Sequence, residues 1–107
     1  MRTLKLTKAD FGEGYQKKYI GKENVADFDG HIEIEGGLSW CVFVSLKATG
    51  YIHAGGGSGI KAGESIEAGW GIKAGEGIKA GSGIKAGWGI EAGWGIVSFF
   101  GSVIWII

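Results

Sequence analysis

The side chains able to do chemistry are few, and their spacing argues against catalysis. His31 and His53 are the two histidines, and neither stands beside a candidate nucleophile. An imidazole with no oriented partner packs rather than shuttles protons. Asp27-Phe28-Asp29-Gly30, followed by Glu33 and Glu35, offers carboxylates without the ligand spacing of a calcium loop, so it reads as a polar turn. Gly-x-Gly recurs throughout the second half, yet no Gly-Lys-Ser/Thr follows it, which excludes phosphate-loop chemistry. No base, nucleophile and oxyanion hole assemble from what remains. The chain is expected not to be an enzyme and to use no metal or cofactor.

Around these residues lies a repeat. Ile60, Ile66, Ile72, Ile78, Ile84, Ile90 and Ile96 recur every six residues, joined by Ile-(Lys/Glu)-Ala-Gly-x-Gly. A unit this short cannot bury its own apolar side chains, so identical units must stack. Six is not a multiple of 3.6, and each glycine would cost a helix about 1 kcal/mol relative to alanine. In an extended strand, Ile72 and Ala74 share one face and Lys73 points to the other. Gly-x-Gly then makes a corner, with its glycines expected to take positive φ. The repeat carries no aspartate, which excludes a calcium-binding nonapeptide roll. Three hexads close a triangular coil of eighteen residues, and coils pair as parallel strands about 4.8 Å apart. The expected fold is all-β: a parallel β-solenoid of about three triangular 18-residue coils, its hand undetermined. Antiparallel hairpins compete poorly, because three-residue strands hold no register.

Leu46-Lys47-Ala48 and Ile52-His53-Ala54 keep the same spacing, with two extra residues within 55–59 before Ile60. Those residues fit a wider corner loop, and the nine hexads make three coils. This arrangement stacks Ile60, Ile78 and Ile96 in one column. It also sets Glu67 with Lys85, Lys73 with Glu91, Lys61 with Lys79, Trp70 with Trp88 and Glu76 with Trp94. A twelve-residue coil would line up Lys61, Lys73 and Lys85, which like charges disfavour.

Three regions follow. Residues 1–45 are expected to form an N-terminal β cap: Thr3-Leu4-Lys5-Leu6-Thr7 and His31-Ile32-Glu33-Ile34-Glu35 alternate as strands do, and 38–46 is nearly all apolar. Residues 46–98 are the solenoid. Residues 99–107 are an apolar C-terminal strand without charge, too short to span a membrane as a helix. Its Phe99, Phe100, Ile104, Trp105 and Ile106 are expected to contact another copy of the chain, giving a homodimer or higher oligomer.

Eleven basic and eleven acidic residues cancel, seven of each in residues 1–50 and four of each beyond. That balance predicts neither a nucleic-acid footprint nor attraction to an anionic membrane. The single cysteine, Cys41, forbids an internal disulfide, and the charged first residues lack a secretory signal. A cytoplasmic protein is expected.

The Ile-x-Ala-Gly repeat resembles hexapeptide β-helices. Left-handed hexapeptide acyltransferases share the six-residue aliphatic spacing. They place a small residue two positions before the aliphatic one, where this chain has Trp70, Trp88, Trp94, Glu64 and Glu76. Their active-site histidine has no clear counterpart here, so the activity does not transfer. The Gly-Ile-Lys-Ala and Ser-Ile-Glu-Ala strings, over residues 46–98, look like bactofilins, a resemblance that implies end-to-end assembly into a scaffold. Nearly identical Ile-Lys-Ala-Gly-Trp-Gly runs look like small phage and mobile-element proteins. Some proteins of that setting, anti-CRISPR proteins included, bind and inhibit host defence nucleases.

Two functions are therefore expected: a protein-binding module, or a self-assembling structural unit. In the first, Trp70, Trp88, Trp94, Lys73, Lys85 and Glu91 form the site, because exposed tryptophans among charges suit an interface hot spot. Sugar binding lacks a polar groove, and ice binding lacks an outward threonine array.

Overall fold

The structure, a computed structural model, describes residues 1–98 and 103–106. The first strands are β1 (Thr3–Leu6) and β2 (Gln16–Lys18), separated by a 3-10 turn at Lys8–Asp10. Next come β3 (His31–Ile34), β4 (Ser39–Phe43) and β5 (Leu46–Ala48), then β6 (Ile52–Ala54), β7 (Ser58–Ala62) and β8 (Ser65–Ala68). The exact repeat supplies β9 (Gly71–Ala74), β10 (Gly77–Ala80), β11 (Gly83–Ala86), β12 (Gly89–Ala92) and β13 (Gly95–Ser98), and β14 (Val103–Ile106) follows.

These strands stack into three parallel sheets, the faces of a triangular β-solenoid. The first face is β1-β3-β6-β9-β12, the second β2-β4-β7-β10-β13, and the third β5-β8-β11-β14. The nine hexads from Leu46 to Ile96 occupy β5 through β13, three coils as their spacing requires. Ile60 pairs with Ile78 and Ile78 with Ile96, so the eighteen-residue column is present. Ile60, Ile66, Ile72, Ile78 and Ile84 are buried with Ala62, Ala68, Ala74, Ala80 and Ala86. Each such isoleucine contributes about 2 kcal/mol.

Residues 1–45 do more than cover the first coil. Leu4 pairs with Ile32, Ile32 with Ile52, and Cys41 with Ile60, all parallel, so β1 to β4 are earlier rungs of the same faces. Phe28 bridges Ala48 and holds the matching place on the third face. Stacking needs only an inward alternation of apolar residues, which Ile32 with Ile34 and Cys41 with Phe43 provide. The loops between rungs are free to lengthen.

The corners correct the expected role of glycine. Positive φ occurs at Gly14, Gly30, Gly37, Gly57 and Ser39, none of them in the exact repeat. Repeat corners instead lack room for a side chain. A Cβ at Gly69 would lie 2.1 Å from the Thr49 carbonyl oxygen, and one at Gly87 2.1 Å from that of Gly69. The corner glycines let stacked turns approach, and the N–H of the next residue completes the pairing: Trp70 donates to Gly50 O at 3.1 Å and Trp88 to Trp70 O at 2.7 Å.

On the second face, Trp40 is buried although it does not belong to the inward column. Its indole lies over Gly59 and Gly77, where an added Cβ would come within 2.8 and 2.7 Å of the ring. Lys79 Nζ stands 4.8 Å from its centroid. The wider corner ahead of Ile60 is pinned by Ser58, which is fully buried: Oγ donates to Glu35 O at 2.6 Å and accepts from Leu38 N–H at 3.0 Å.

Candidate macromolecular interface

The first face carries the outward row that the parallel register sets side by side: Lys5, Glu33, His53, Lys73 and Glu91. Lys73 and Glu91 approach to 4.0 Å, exposed to solvent, and contribute orientation rather than stability.

Along the corner where the third face turns into the first runs an aromatic strip. Tyr51 is stacked between His31, at 4.0 Å between centroids, and His53, at 4.1 Å. Trp70 meets His31 edge-on at 4.6 Å, and Trp88 stacks on Trp70 at 5.0 Å with planes 9° apart. The Trp pair adds about 1 kcal/mol beyond its buried area. Its geometry follows from the glycines beneath it, because Gly69 and Gly87 bring successive corners to strand spacing.

Hydrogen bonds fix the upper part of the strip. The Tyr51 hydroxyl donates to the Glu33 carboxylate, and its N–H donates to His31 Nδ1 at 3.0 Å. The carboxylate bond, followed by burial, pushes the Tyr51 phenol above its usual range. His53 is held below its usual value, mainly by burial and then by Lys73. Trp88 is 72 % exposed and Trp70 36 %. The result is an ordered apolar ridge beside a row of alternating charge.

The expected site residues divide among these features. Trp70, Trp88, Lys73 and Glu91 lie on one face and its bordering corner. Trp94 stands at the other edge of that face, where its N–H donates to Glu76 O at 2.9 Å, and is also 72 % exposed. Lys85 belongs to the third face, in a row with Lys47 and Glu67. Glu67 lies 3.9 Å from Lys47, its ion-pair partner. His31, Tyr51, His53 and Glu33 join the strip unforeseen. Their signal is the frame: His31 and Tyr51 immediately precede Ile32 and Ile52, which stand in the column that runs from Leu4 to Ile72 and Ile90.

Of the expected oligomer contact, Phe99 and Phe100 lie outside the described residues. Ile104 pairs with Ile84, Trp105 with Lys85 and Ile106 with Ala86, so β14 is a rung of the third face. Ile104 and Ile106 therefore take register positions that are buried one coil earlier.

No group of three metal-ligating side chains forms among the described residues. Asp29 accepts from Thr49 Oγ1 at 2.9 Å, and Thr49 Oγ1 accepts from Gly30 N–H at 2.8 Å, which commits this carboxylate to its turn. Cys41 is buried, and burial pushes its thiol up to about 11. Among the described residues no helix is long and apolar enough to cross a membrane. No family model, curated protein or solved structure matches the chain.

Proposed function

We propose that the chain is a non-enzymatic binding module that docks a protein partner through its first face. One observation carries this reading: Trp70 and Trp88 stack on each other, exposed and continued by the half-buried Tyr51, beside Lys73 and Glu91 on a β scaffold. Tryptophan and tyrosine lose little side-chain entropy on binding and bury large areas, so aromatic residues dominate interface energetics. Here the stack already restrains Trp70 and Trp88, which lowers the ordering cost of association. Trp94 and Lys85 border the contact, and the alternating charges select orientation.

The likeness of the repeats to small phage and mobile-element proteins makes a host defence protein the first partner class to test, with action in the cytoplasm. Nucleic acid is a poor partner for this face, because its charge row alternates in sign.

Affinity capture from a bacterial lysate with the wild-type chain and Trp88→Ala tests the reading. The expected result is a protein retained by the wild type and reduced at least about tenfold by Trp88→Ala, a loss of about 1.4 kcal/mol or more. Equal retention by a variant with an unchanged β spectrum contradicts docking through this face.

A further inference from the structure

The three faces carry their outward charge differently. On the first, Lys73 is answered by Glu91, and on the third Lys47 is answered by Glu67. The second face has no such answer. Its register sets Lys18, Val42, Lys61, Lys79 and Val97 side by side in one outward row, which holds three ammonium groups and no carboxylate. Among the described residues, no carboxylate comes within 4.0 Å of these three amines. Glu64 and Glu76 stand at the bordering corners, where Glu64 accepts from Ser45 Oγ at 2.7 Å and Glu76 buries one carboxylate oxygen, Oε1.

Neutral groups hold two of the lysines. Lys61 Nζ donates to Gln16 Oε1 at 3.0 Å, and Lys79 Nζ stands 4.8 Å from the Trp40 ring centroid. Neither contact removes the positive charge, and both restrain side chains that would otherwise be ordered only on binding. Trp40 is buried across Gly59 and Gly77, so the lysine stems stand on an apolar floor. Lys18 is exposed, and Val42 is half-buried between the first two lysines of the row. The row runs along the side of the stack, so a coil added at either end would not cover it.

We propose that the second face docks an acidic helix of a partner protein, laid along the stack axis. From Lys18, the row places Val42, Lys61 and Lys79 at about 4.8, 9.6 and 14.4 Å, one coil spacing each. On an α-helix, positions i, i+3, i+7 and i+10 share one face and rise about 4.5, 10.5 and 15 Å from the first. Asp or Glu at i, i+7 and i+10 would meet the three lysines, and an apolar residue at i+3 would meet Val42. An extended segment fits less well, because its same-side residues recur at about 6.6 Å, out of step with the coils.

The same features disfavour other anions. Trp40 is buried with Lys79 across it, so its ring is not open for a nucleic-acid base to stack upon. Three lysines in a single line also fall short of the basic cluster that holds an anionic membrane surface. The surface is separate from the aromatic ridge of the first face.

Fluorescence anisotropy on the full chain decides the proposal, with a labelled synthetic helix stapled on its far side and carrying Glu at i, i+7 and i+10 and Leu at i+3. The expected dissociation constant is about 100 μM or tighter. A stapled helix of the same composition, its glutamates spread around all sides, should bind at least about tenfold more weakly. Lys61→Glu and Lys18→Glu should each weaken the matched helix at least about fivefold. Lys47→Glu, the same charge change on the third face, should leave it within about twofold. No binding of the matched helix, equal binding of the two helices, or equal effects of Lys61→Glu and Lys47→Glu each overturns the proposal. Tighter binding of a labelled oligothymidylate or of phosphatidylserine vesicles assigns the face to another anion and overturns it equally. An unchanged β circular dichroism spectrum checks that the variants fold, and if one does not, the two helices compared on the wild type still decide.

Discussion

Replacing Gly69 with alanine separates close corner stacking from simple glycine flexibility. The new Cβ would lie 2.1 Å from the Thr49 carbonyl oxygen and 3.0 Å from its carbon, both backbone atoms that cannot swing aside. Relief requires opening the corner by about 1 Å, since ordinary carbon–oxygen contact begins near about 3.3 Å. Two bonds span that gap: Gly69 N–H to Ala48 O at 3.0 Å and Trp70 N–H to Gly50 O at 3.1 Å. Losing both costs about 1 kcal/mol each, and the overpacked corner adds about 1 to 3 kcal/mol. The total of about 3 to 5 kcal/mol corresponds to a melting temperature lower by roughly 12 to 40 °C for a domain this size. Gly71→Ala is the control. Its Cβ would meet only the Gly89 carbonyl oxygen at 3.4 Å, an ordinary contact, and its φ is not positive. This change should be neutral or stabilise by up to about 1 kcal/mol, through the entropy of the unfolded chain. Thermal unfolding followed by circular dichroism reads both. Equal melting temperatures for the two variants would refute the close-approach argument.

Ile78→Ala, in a fully buried column, should cost about 2 to 5 kcal/mol in urea unfolding. Lys79→Ala, which loses only a cation over the Trp40 ring, should cost about 0.5 to 1 kcal/mol. Folding favours neutral His53, so the unfolded chain takes up its proton first as pH falls through the usual 6.5. That contribution to stability is complete above about pH 6.5 and declines below it, and His53→Gln should flatten the slope in urea titrations. Cys41, raised from the usual 9.0 to about 11, holds about 100-fold less thiolate than an ordinary cysteine near pH 8. Thiol reagents should therefore label the native chain far more slowly than the urea-unfolded one.

The isoleucine spacing made the columns legible, because Ile60, Ile78 and Ile96 sit one coil apart with no insertion between them. The earlier rungs were hidden by their connections. Leu4 and Ile32 pair across a loop that holds a 3-10 turn and a second strand, so no period links them. Corner glycines suggest local backbone freedom when read along the chain, whereas Gly69 and Gly87 answer a contact with the coil beneath. Trp40 looks like an ordinary strand residue until Gly59 and Gly77 are seen as the space it fills. The aromatic strip was half visible: the hexad frame aligned Trp70 with Trp88, but Tyr51 and His31 reach it from the irregular coils. The place of Ile104 in the third face was hidden because Ile96 and Ile104 lie eight residues apart rather than six, so the period breaks before β14.

The stacking of Trp70 on Trp88 reports the eighteen-residue register directly and builds the aromatic ridge on which the proposed docking depends. Indoles stacked 5.0 Å apart stabilise one another, so a double-mutant cycle of Trp70→Ala and Trp88→Ala in urea unfolding should return a coupling of about 1 kcal/mol. The same cycle on Trp70 and Trp94, whose corner neighbour is Glu76, should return about zero. Equal couplings for the two pairs, or none between Trp70 and Trp88, would contradict the stacking.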